Sequence, residues 1–230
     1  MVNASRFGQG MTFDEYVRFI ASPANLAREG SAAPRRDWSD FLRQAYDAAR
    51  IPPAHTEAWR WLVAQPGGPA RVLALSEEWS SDCRRDIPVL ARLADTAGLE
   101  LRIFTRDGET MRLKGVPDPT EGGNADLVAA YANEKNGQRW ASVPVAVFFT
   151  EDFQELYRYI EYPVIYRKEQ VLGHLRAARG GETPEAAKAR GGAEIGALLE
   201  SPFYDVWAQG AIAEILAALH ERLLTGPAKG

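Results

Sequence analysis

A short apolar strand, a long helix and a second strand follow one another between residues 71 and 104, and this order constrains the fold more than any other feature. Residues 71–76 form an apolar run of strand length, and residues 82–97 have helical periodicity. Residues 99–104 read as a second strand, and Gly98 is a suitable end for the helix between them. The segment is therefore predicted to be a βαβ unit.

One more helix and two more strands follow this unit. Residues 125–134 are predicted to form a helix, residues 143–149 a fully buried strand, and residues 155–161 a strand of mixed character after a Glu-Asp turn. The order strand, helix, strand, helix, strand, strand is that of an α/β protein.

Helices are predicted before this region. Thr12 and Glu15 have the spacing of a capping box, and apolar residues at helical spacing follow them. Two further helical runs cover residues 38–46, ending before Pro52-Pro53, and residues 59–63. The Gly/Pro cluster at residues 65–69 is the best candidate for a domain boundary.

Helices are also predicted after the last of these strands. Residues 164–178 form one candidate helix, residues 180–192 a connecting segment rich in glycine and alanine, and Ser201-Pro202 the N-cap and first residue of a last helix. We therefore divide the chain into an N-terminal helical extension (1–66), a core (67–165) and a C-terminal helical extension (166–230).

Charge and hydropathy exclude several classes of protein. The 230 residues include 27 basic and 31 acidic side chains, for a formal net charge of -4, without a long basic run, so we expect no nucleic-acid partner. Residues 1–12 lack the apolar stretch of a signal peptide, and the longest apolar run, at residues 143–149, is too short for a membrane span. We expect a soluble cytoplasmic protein with no membrane partner.

The only cysteine, Cys83, ends the sequence Trp-Ser-Ser-Asp-Cys at the junction of the first strand and helix. A thiol–disulfide exchanger needs one thiolate to attack and a second thiol to resolve the mixed disulfide, usually as Cys-x-x-Cys at a helix N-terminus. Ser80 stands at the attacking position, so an intramolecular dithiol cycle is excluded. We expect Ser80 to be the N-cap and Cys83 to lie in the first turn, where the helix dipole lowers a thiol pKa and burial raises it. The sequence leaves open which effect is larger.

The segment from residue 71 to residue 163 resembles the thioredoxin superfamily. More narrowly, it resembles a bacterial branch of thioredoxin-like proteins whose site reads Glu-x-Trp-Cys-x-Asp. Glu77, Trp79 and Asp82 match that pattern, and Ser80 replaces its cysteine.

Further positions support the resemblance. Pro88 stands five residues after Cys83, where thioredoxins carry a helix-kinking proline. Arg106-Asp107 follows the second strand, and Pro144 opens the next one. Together these positions are more specific than any one of them.

The resemblance implies a thioredoxin-like fold, with a mixed four-stranded central sheet flanked by helices and with extra N- and C-terminal helices. It also implies that Pro144 is cis and lies next to Ser80. The backbone of Val143 would then pair with an extended substrate.

The acids near the site have two interpretations. Thioredoxins usually bury a proton-relaying acid six residues before the first motif position, and this chain has Ala74 there. Either Glu77 substitutes for that acid, or Glu77 and Glu78 form a solvated acidic edge; the usual exposure of isolated charges favours the solvated edge.

No cofactor is expected. His55, His174 and His220 lie on different predicted elements without the spacing of metal ligands. Neither a dinucleotide-binding nor a phosphate-binding glycine pattern is present in the sequence.

Two functions remain in competition. In the first, Cys83 forms a mixed disulfide with a small thiol or a partner protein, and an external thiol resolves it. In the second, the chain is a redox-inactive thioredoxin-fold module that binds a peptide or partner protein in the groove beside Pro144. The candidate catalytic residues are Cys83, Ser80, Trp79, Asp82 and Glu77, and the candidate substrate-binding residues are Val143 and Pro144. The sequence does not determine the oligomeric state.

Overall fold

The computed structural model describes residues 2–28, 35–107 and 115–226. The strands are β1 (Arg71–Ser76), β2 (Glu100–Thr105), β3 (Asn133–Lys135), β4 (Gln138–Trp140), β5 (Val145–Phe149) and β6 (Glu155–Ile160). The helices are α1 (Ala4–Phe7), α2 (Phe13–Ile20), α3 (Pro23–Leu26), α4 (Ser39–Ala48), α5 (Pro53–Val63), α6 (Ser81–Ala97), α7 (Ala125–Ala130), α8 (Lys168–Arg176), α9 (Pro184–Leu199) and α10 (Phe203–Thr225). A 3₁₀ turn covers Val164–Tyr166.

Four strands form the central sheet in the order β2-β1-β5-β6. β1 runs parallel to β2, as expected when a crossover helix joins them, whereas β5 runs antiparallel to both β1 and β6. Every residue of β5 is buried, and so is all of β1 except its first residue, as in strands covered on both faces. The predicted α/β fold, a mixed four-stranded sheet flanked by helices, is confirmed.

The crossover helix α6 carries the site and packs on β1 and β2. It begins after Ser80, whose side chain caps it, and it ends at Gly98, which adopts a left-handed conformation with φ of 75°. Glycine is favoured there because it has no Cβ to clash in that conformation. The apolar residues Ile87, Leu90 and Leu93 are buried in the hydrophobic core.

The N-terminal capping box is confirmed. The Glu15 N–H donates to Thr12 Oγ1 at 3.3 Å, and the Thr12 N–H donates to Glu15 Oε2 at 2.8 Å. These two bonds satisfy donors that have no partner within the helix. The helix α2 that they start packs against α4 and β2.

The third helix begins earlier than predicted. α5 starts at Pro53 rather than near residue 59. Proline is tolerated in the first helical position because that residue has no intrahelical N–H bond to lose. The Pro52-Pro53 pair therefore both follows the end of α4 and starts α5.

The helix predicted for residues 125–134 is too long. α7 ends at Ala130, and residues 133–140 form the antiparallel hairpin of β3 and β4 instead. Asn136 and Gly137 form its turn with φ of 54° and 70°. An Asn-Gly pair favours this two-residue hairpin turn, because both positions need a positive φ.

The connecting segment predicted for residues 180–192 is largely helical. α9 begins at Pro184, with Thr183 as its N-cap accepting the Ala186 N–H at 3.2 Å. Gly191 allows α9 to pack closely on the end of α8, because a Cβ there would lie 2.9 Å from the Leu175 carbonyl oxygen. The start signal and this packing outweigh the low helix propensity of glycine.

The other C-terminal predictions need smaller corrections. The helix predicted for residues 164–178 is divided into the 3₁₀ turn and α8, with Arg167 between them at φ of 44°. Ser201 does not cap the last helix, because its hydroxyl donates to the Leu198 carbonyl at 2.6 Å, and Pro202 occupies the N-cap position of α10.

The terminal helices meet over α6. α10 contacts α5, α6 and β6, and α4 also packs on α6. Helices from before and after the central sheet therefore pack together against α6. Among the described residues, no helix combines the length and apolar character that a membrane crossing requires.

Candidate functional site

The site begins where β1 ends and α6 starts. Ser80 is the N-cap, as predicted, and its Oγ accepts the Cys83 N–H at 3.4 Å. Asp82 and Cys83 lie in the first turn, and Trp79 precedes the cap. This geometry places Cys83 near the positive end of the helix dipole.

Cys83 is nevertheless an interior thiol. Only 1% of its surface is exposed, and its Sγ accepts the Glu77 N–H at 3.4 Å. Burial raises the pKa of the thiol to about 12, against the smaller lowering effect of hydrogen bonds from the Glu77 backbone and from Ser76 and Ser80. The effect of burial is thus the larger one at this site.

The expectation that Glu77 and Glu78 form a solvated acidic edge is wrong. Both carboxylates are buried, with exposed fractions of 0% and 1%. Arg35 Nη1 lies 2.9 Å from Glu77 Oε2 and 2.8 Å from Glu78 Oε1, and Arg28 Nη2 lies 3.0 Å from Glu77 Oε1. The arginines that flank the N-terminal helices provide the countercharge that allows these acids to be buried.

Asp107 joins the same cluster from the end of β2. Its carboxylate accepts hydrogen bonds from Trp79 Nε1 at 2.9 Å, from Arg106 Nε at 2.7 Å and from Arg35 Nη2 at 3.0 Å. Its backbone N–H donates to Glu77 Oε1 at 2.6 Å. The Arg-Asp pair noted in the sequence is therefore connected to both Glu77 and Trp79.

Glu77 has a shifted pKa. Burial and the neighbouring Asp107 carboxylate raise its pKa to about 7, in opposition to Arg28 and Arg35. A buried acid thus lies near the site at residue 77 rather than at Ala74. Its carboxylate contacts Arg28 and Arg35, and its backbone N–H contacts the Cys83 sulfur.

Asp82 belongs to a second buried network. Arg85 Nη1 donates to Asp82 Oδ1 at 2.8 Å, and Lys168 forms an ion pair with the other oxygen. Arg85 also donates to both carboxylate oxygens of Asp86, at 2.7 and 2.8 Å, and the Tyr159 hydroxyl donates to Asp86 at 2.8 Å. The Asp82 carboxylate is therefore fixed in place by Arg85 and Lys168.

A groove of about 500 Å³ opens beside this turn. Its lining includes Trp79, Ser80, Asp82 and Val143, which the sequence analysis had selected, and it is completed by the β3–β4 hairpin, which the sequence analysis had missed. We call it the Ser80 groove. The Asn136-Gly137 pair was the sequence signal that could have revealed the hairpin.

Val143, just before β5, lines this groove, whereas Pro144 is not part of its lining. The Val143-Pro144 peptide bond is cis. The Val143 N–H and carbonyl have no backbone hydrogen-bond partner among the described residues, whereas the Pro144 carbonyl accepts the Glu161 N–H at 2.7 Å. One backbone donor and one acceptor are thus available beside Ser80.

No metal centre is evident within the described part of the chain, where no group of three or more His, Cys, Asp or Glu side chains is arranged to hold an ion. His55, His174 and His220 lie on α5, α8 and α10 respectively.

The comparisons with known proteins agree with the fold. Two crystal structures cover 96% of this chain and 99% of their own: PA1234, a protein of unknown function from Pseudomonas aeruginosa, with 16% identity and a TM-score of 0.53, and an HIV epitope-scaffold, with 18% identity and a TM-score of 0.54. No curated protein matches the chain significantly. A family model described as Thioredoxin matches residues 39–176, which is more than half of the sequence. The chain therefore belongs to this thioredoxin family.

Proposed function

We propose that this chain is a redox-inactive thioredoxin-fold module that binds an extended peptide segment in the Ser80 groove. The observation that carries the proposal is an open groove beside a thiol that is enclosed in the core: Ser80 and Val143 line the groove, whereas Cys83 does not. The Glu-x-Trp-Ser-x-Asp sequence supports placing the chain in the bacterial thioredoxin-like branch, with a degenerate site. A lone cysteine fits a reducing, cytoplasmic setting.

The state of Cys83 argues against thiol exchange. Exchange needs a thiolate that can approach a disulfide sulfur. With a pKa of about 12, only ~1 in 10⁵ molecules carries the thiolate at pH 7. The sulfur is also covered, with 1% of the residue exposed. Monothiol exchange through Cys83 stays a prediction, and it requires the turn around the thiol to open.

Most charged groups of the groove are already paired; among the described residues, Glu161 is the exception. Lys135 Nζ lies 3.0 Å from Glu169 Oε1, Lys168 pairs with Asp82, and Arg106 bonds to Asp107. A strongly charged ligand would have to compete with these pairs. A neutral ligand that forms hydrogen bonds fits the groove better.

An extended peptide satisfies this requirement. Its backbone can pair with the N–H and carbonyl of Val143, which have no backbone partner among the described residues. Asn136 and Gln138, which carry amide side chains, also line the groove, and Trp140 is 41% exposed on the hairpin. An exposed tryptophan at a groove edge is a common anchor for a partner side chain.

The test begins with the wild-type chain, whose thiol is present during selection. Random twelve-residue peptides are selected on it by phage display, and the selected peptides are labelled and titrated by fluorescence polarisation. We expect the wild type and Cys83→Ala to bind equally, and Trp140→Ala to weaken binding about tenfold. Trp61→Ala is the matched control, because Trp61 is 49% exposed and lies outside the groove.

Three outcomes contradict the proposal. They are failure to select any peptide, equal affinity of the wild type and Trp140→Ala, and dependence of binding on the Cys83 thiol. The last outcome would favour monothiol exchange instead.

A further inference from the structure

A second cavity lies in the helical layer. It has a volume of about 860 Å³ and lies between α4, the start of α5, α6 and the first half of α10. It shares no lining residue with the Ser80 groove. Small-molecule sites typically have volumes of about 300–1,000 Å³.

Most of the cavity wall is apolar. Phe41, Ala45 and Ala48 line it from α4, Ile51 from the link to α5, Val89 from α6 and Ala208 from α10. Phe41 is 37% exposed, so apolar surface remains open to a ligand. Such a wall favours a ligand with an apolar body.

Arg84 adds an uncompensated cation to this wall. Its guanidinium lies 4.0 Å from the Trp38 ring centroid, and its Nη1 donates to the Glu78 carbonyl at 2.8 Å. No carboxylate of the described residues forms an ion pair with it. Burial lowers its pKa, which means that the charged form is disfavoured where it stands.

The other charged residues that line the cavity differ in whether they have a carboxylate partner. Arg85 is neutralised by Asp82 and Asp86. Within the described residues, the Arg50 guanidinium donates only to the backbone carbonyls of Asp47 and Ala49. Asp205 is an exposed acid of the lining and does not pair with either Arg50 or Arg84. Among the residues that the structure describes, the half-buried Arg84 and the exposed Arg50 therefore have no carboxylate partner in this largely apolar lining.

We propose that this cavity binds a small amphipathic anion, with a carboxylate head at Arg84 and Arg50 and an apolar body along α4 and α10. The anion supplies the countercharge that Arg84 lacks, and charge-assisted hydrogen bonds to a guanidinium are strong. The apolar body removes the exposed wall from water. The proposal is independent of the Ser80 groove and of thiol chemistry.

The test is a calorimetric titration of the full chain with decanoate, below its micellar concentration, and with 1-decanol. We expect saturable binding of one decanoate per chain and binding of the alcohol at least about tenfold weaker, since the alcohol cannot pair with the cations. Arg84→Gln should weaken decanoate binding about tenfold and leave decanol binding unchanged. Ala48→Trp, at an exposed position of the wall, should abolish both.

The matched control is Arg92→Gln. Arg92 also lies on α6 with its guanidinium over an aromatic ring, 5.1 Å from the centroid of Tyr46, but it does not line the cavity. Equal binding of decanoate and decanol, an effect of Arg92→Gln as large as that of Arg84→Gln, or no saturable binding of decanoate overturns the proposal. Binding of an acidic amphipathic peptide in place of decanoate would also overturn it and would assign the cavity to a protein partner.

Discussion

The native thiol of Cys83 should be alkylated far more slowly than a free cysteine. With a pKa of about 12, the thiolate fraction at pH 8 is ~10⁻⁴. A free cysteine with a pKa of about 8.5 has a thiolate fraction of about 0.2 at that pH. Ionisation alone therefore predicts a rate about 10³-fold lower, and exclusion of the reagent from a residue that is 1% exposed lowers it further.

The assay follows iodoacetamide labelling by intact mass over a range of pH, first on the native protein and then in guanidinium. Full labelling after unfolding shows that the thiol was not oxidised. Ser142→Cys in a Cys83→Ala background is the control, because residue 142 lines the groove and is half-buried. A native rate within tenfold of that control, with a midpoint below about pH 9, would refute the argument from burial.

Three other predictions concern stability, and urea unfolding measures each one. The pKa of Glu77 is raised from 4.5 to about 7, so between these two pH values the folded state holds a proton that the unfolded state has lost. The wild type should therefore lose stability relative to Glu77→Gln as the pH rises from about 5 to about 7.5; an opposite trend would indicate a lowered pKa. Thr12→Ala should lower the free energy of unfolding by about 1 kcal/mol through loss of the N-cap, and Thr12→Ser should retain it. Tyr159→Phe removes a buried hydrogen bond of 2.8 Å to Asp86 and should lower the free energy of unfolding by about 1.5–3 kcal/mol. The control is Tyr131→Phe, which should change it by less than about 0.5 kcal/mol, because the Tyr131 hydroxyl makes no hydrogen bond within the described residues. Equal losses would show that the bond contributes nothing.

Features that depend on neighbouring residues were predictable from the sequence. The capping box at Thr12 and Glu15 and the N-cap at Ser80 are formed by residues three positions apart, so the pattern contains both partners. The βαβ unit was also predictable, because a change from strand to helix periodicity is a local signal. The Gly/Ala-rich residues 180–192 show the limit of that signal, since tertiary packing made them helical.

The electrostatics of the site were not predictable in this way. Glu77 is separated by 42 residues from Arg35 and by 49 residues from Arg28, and no sequence pattern links them. Without these partners a glutamate before a helix is correctly expected to be solvated. The burial of Cys83 was not predictable either. The sequence indicated that the helix dipole lowers the thiol pKa and that burial raises it, but not how deeply the first turn of α6 is buried.

The ion pairs around Glu77 bear directly on what the Ser80 groove can do. The turn between β1 and α6 is held by Arg35 from one side and by the bond from Trp79 to Asp107 from the other. Arg106 extends the same network to the hairpin wall, because it donates to the Ala141 carbonyl at 3.0 Å. A groove whose walls are fixed before a ligand arrives loses little conformational entropy on binding. Thiol exchange would instead require this turn to open and expose buried charges, so the same contacts that favour the peptide binding we propose oppose redox chemistry.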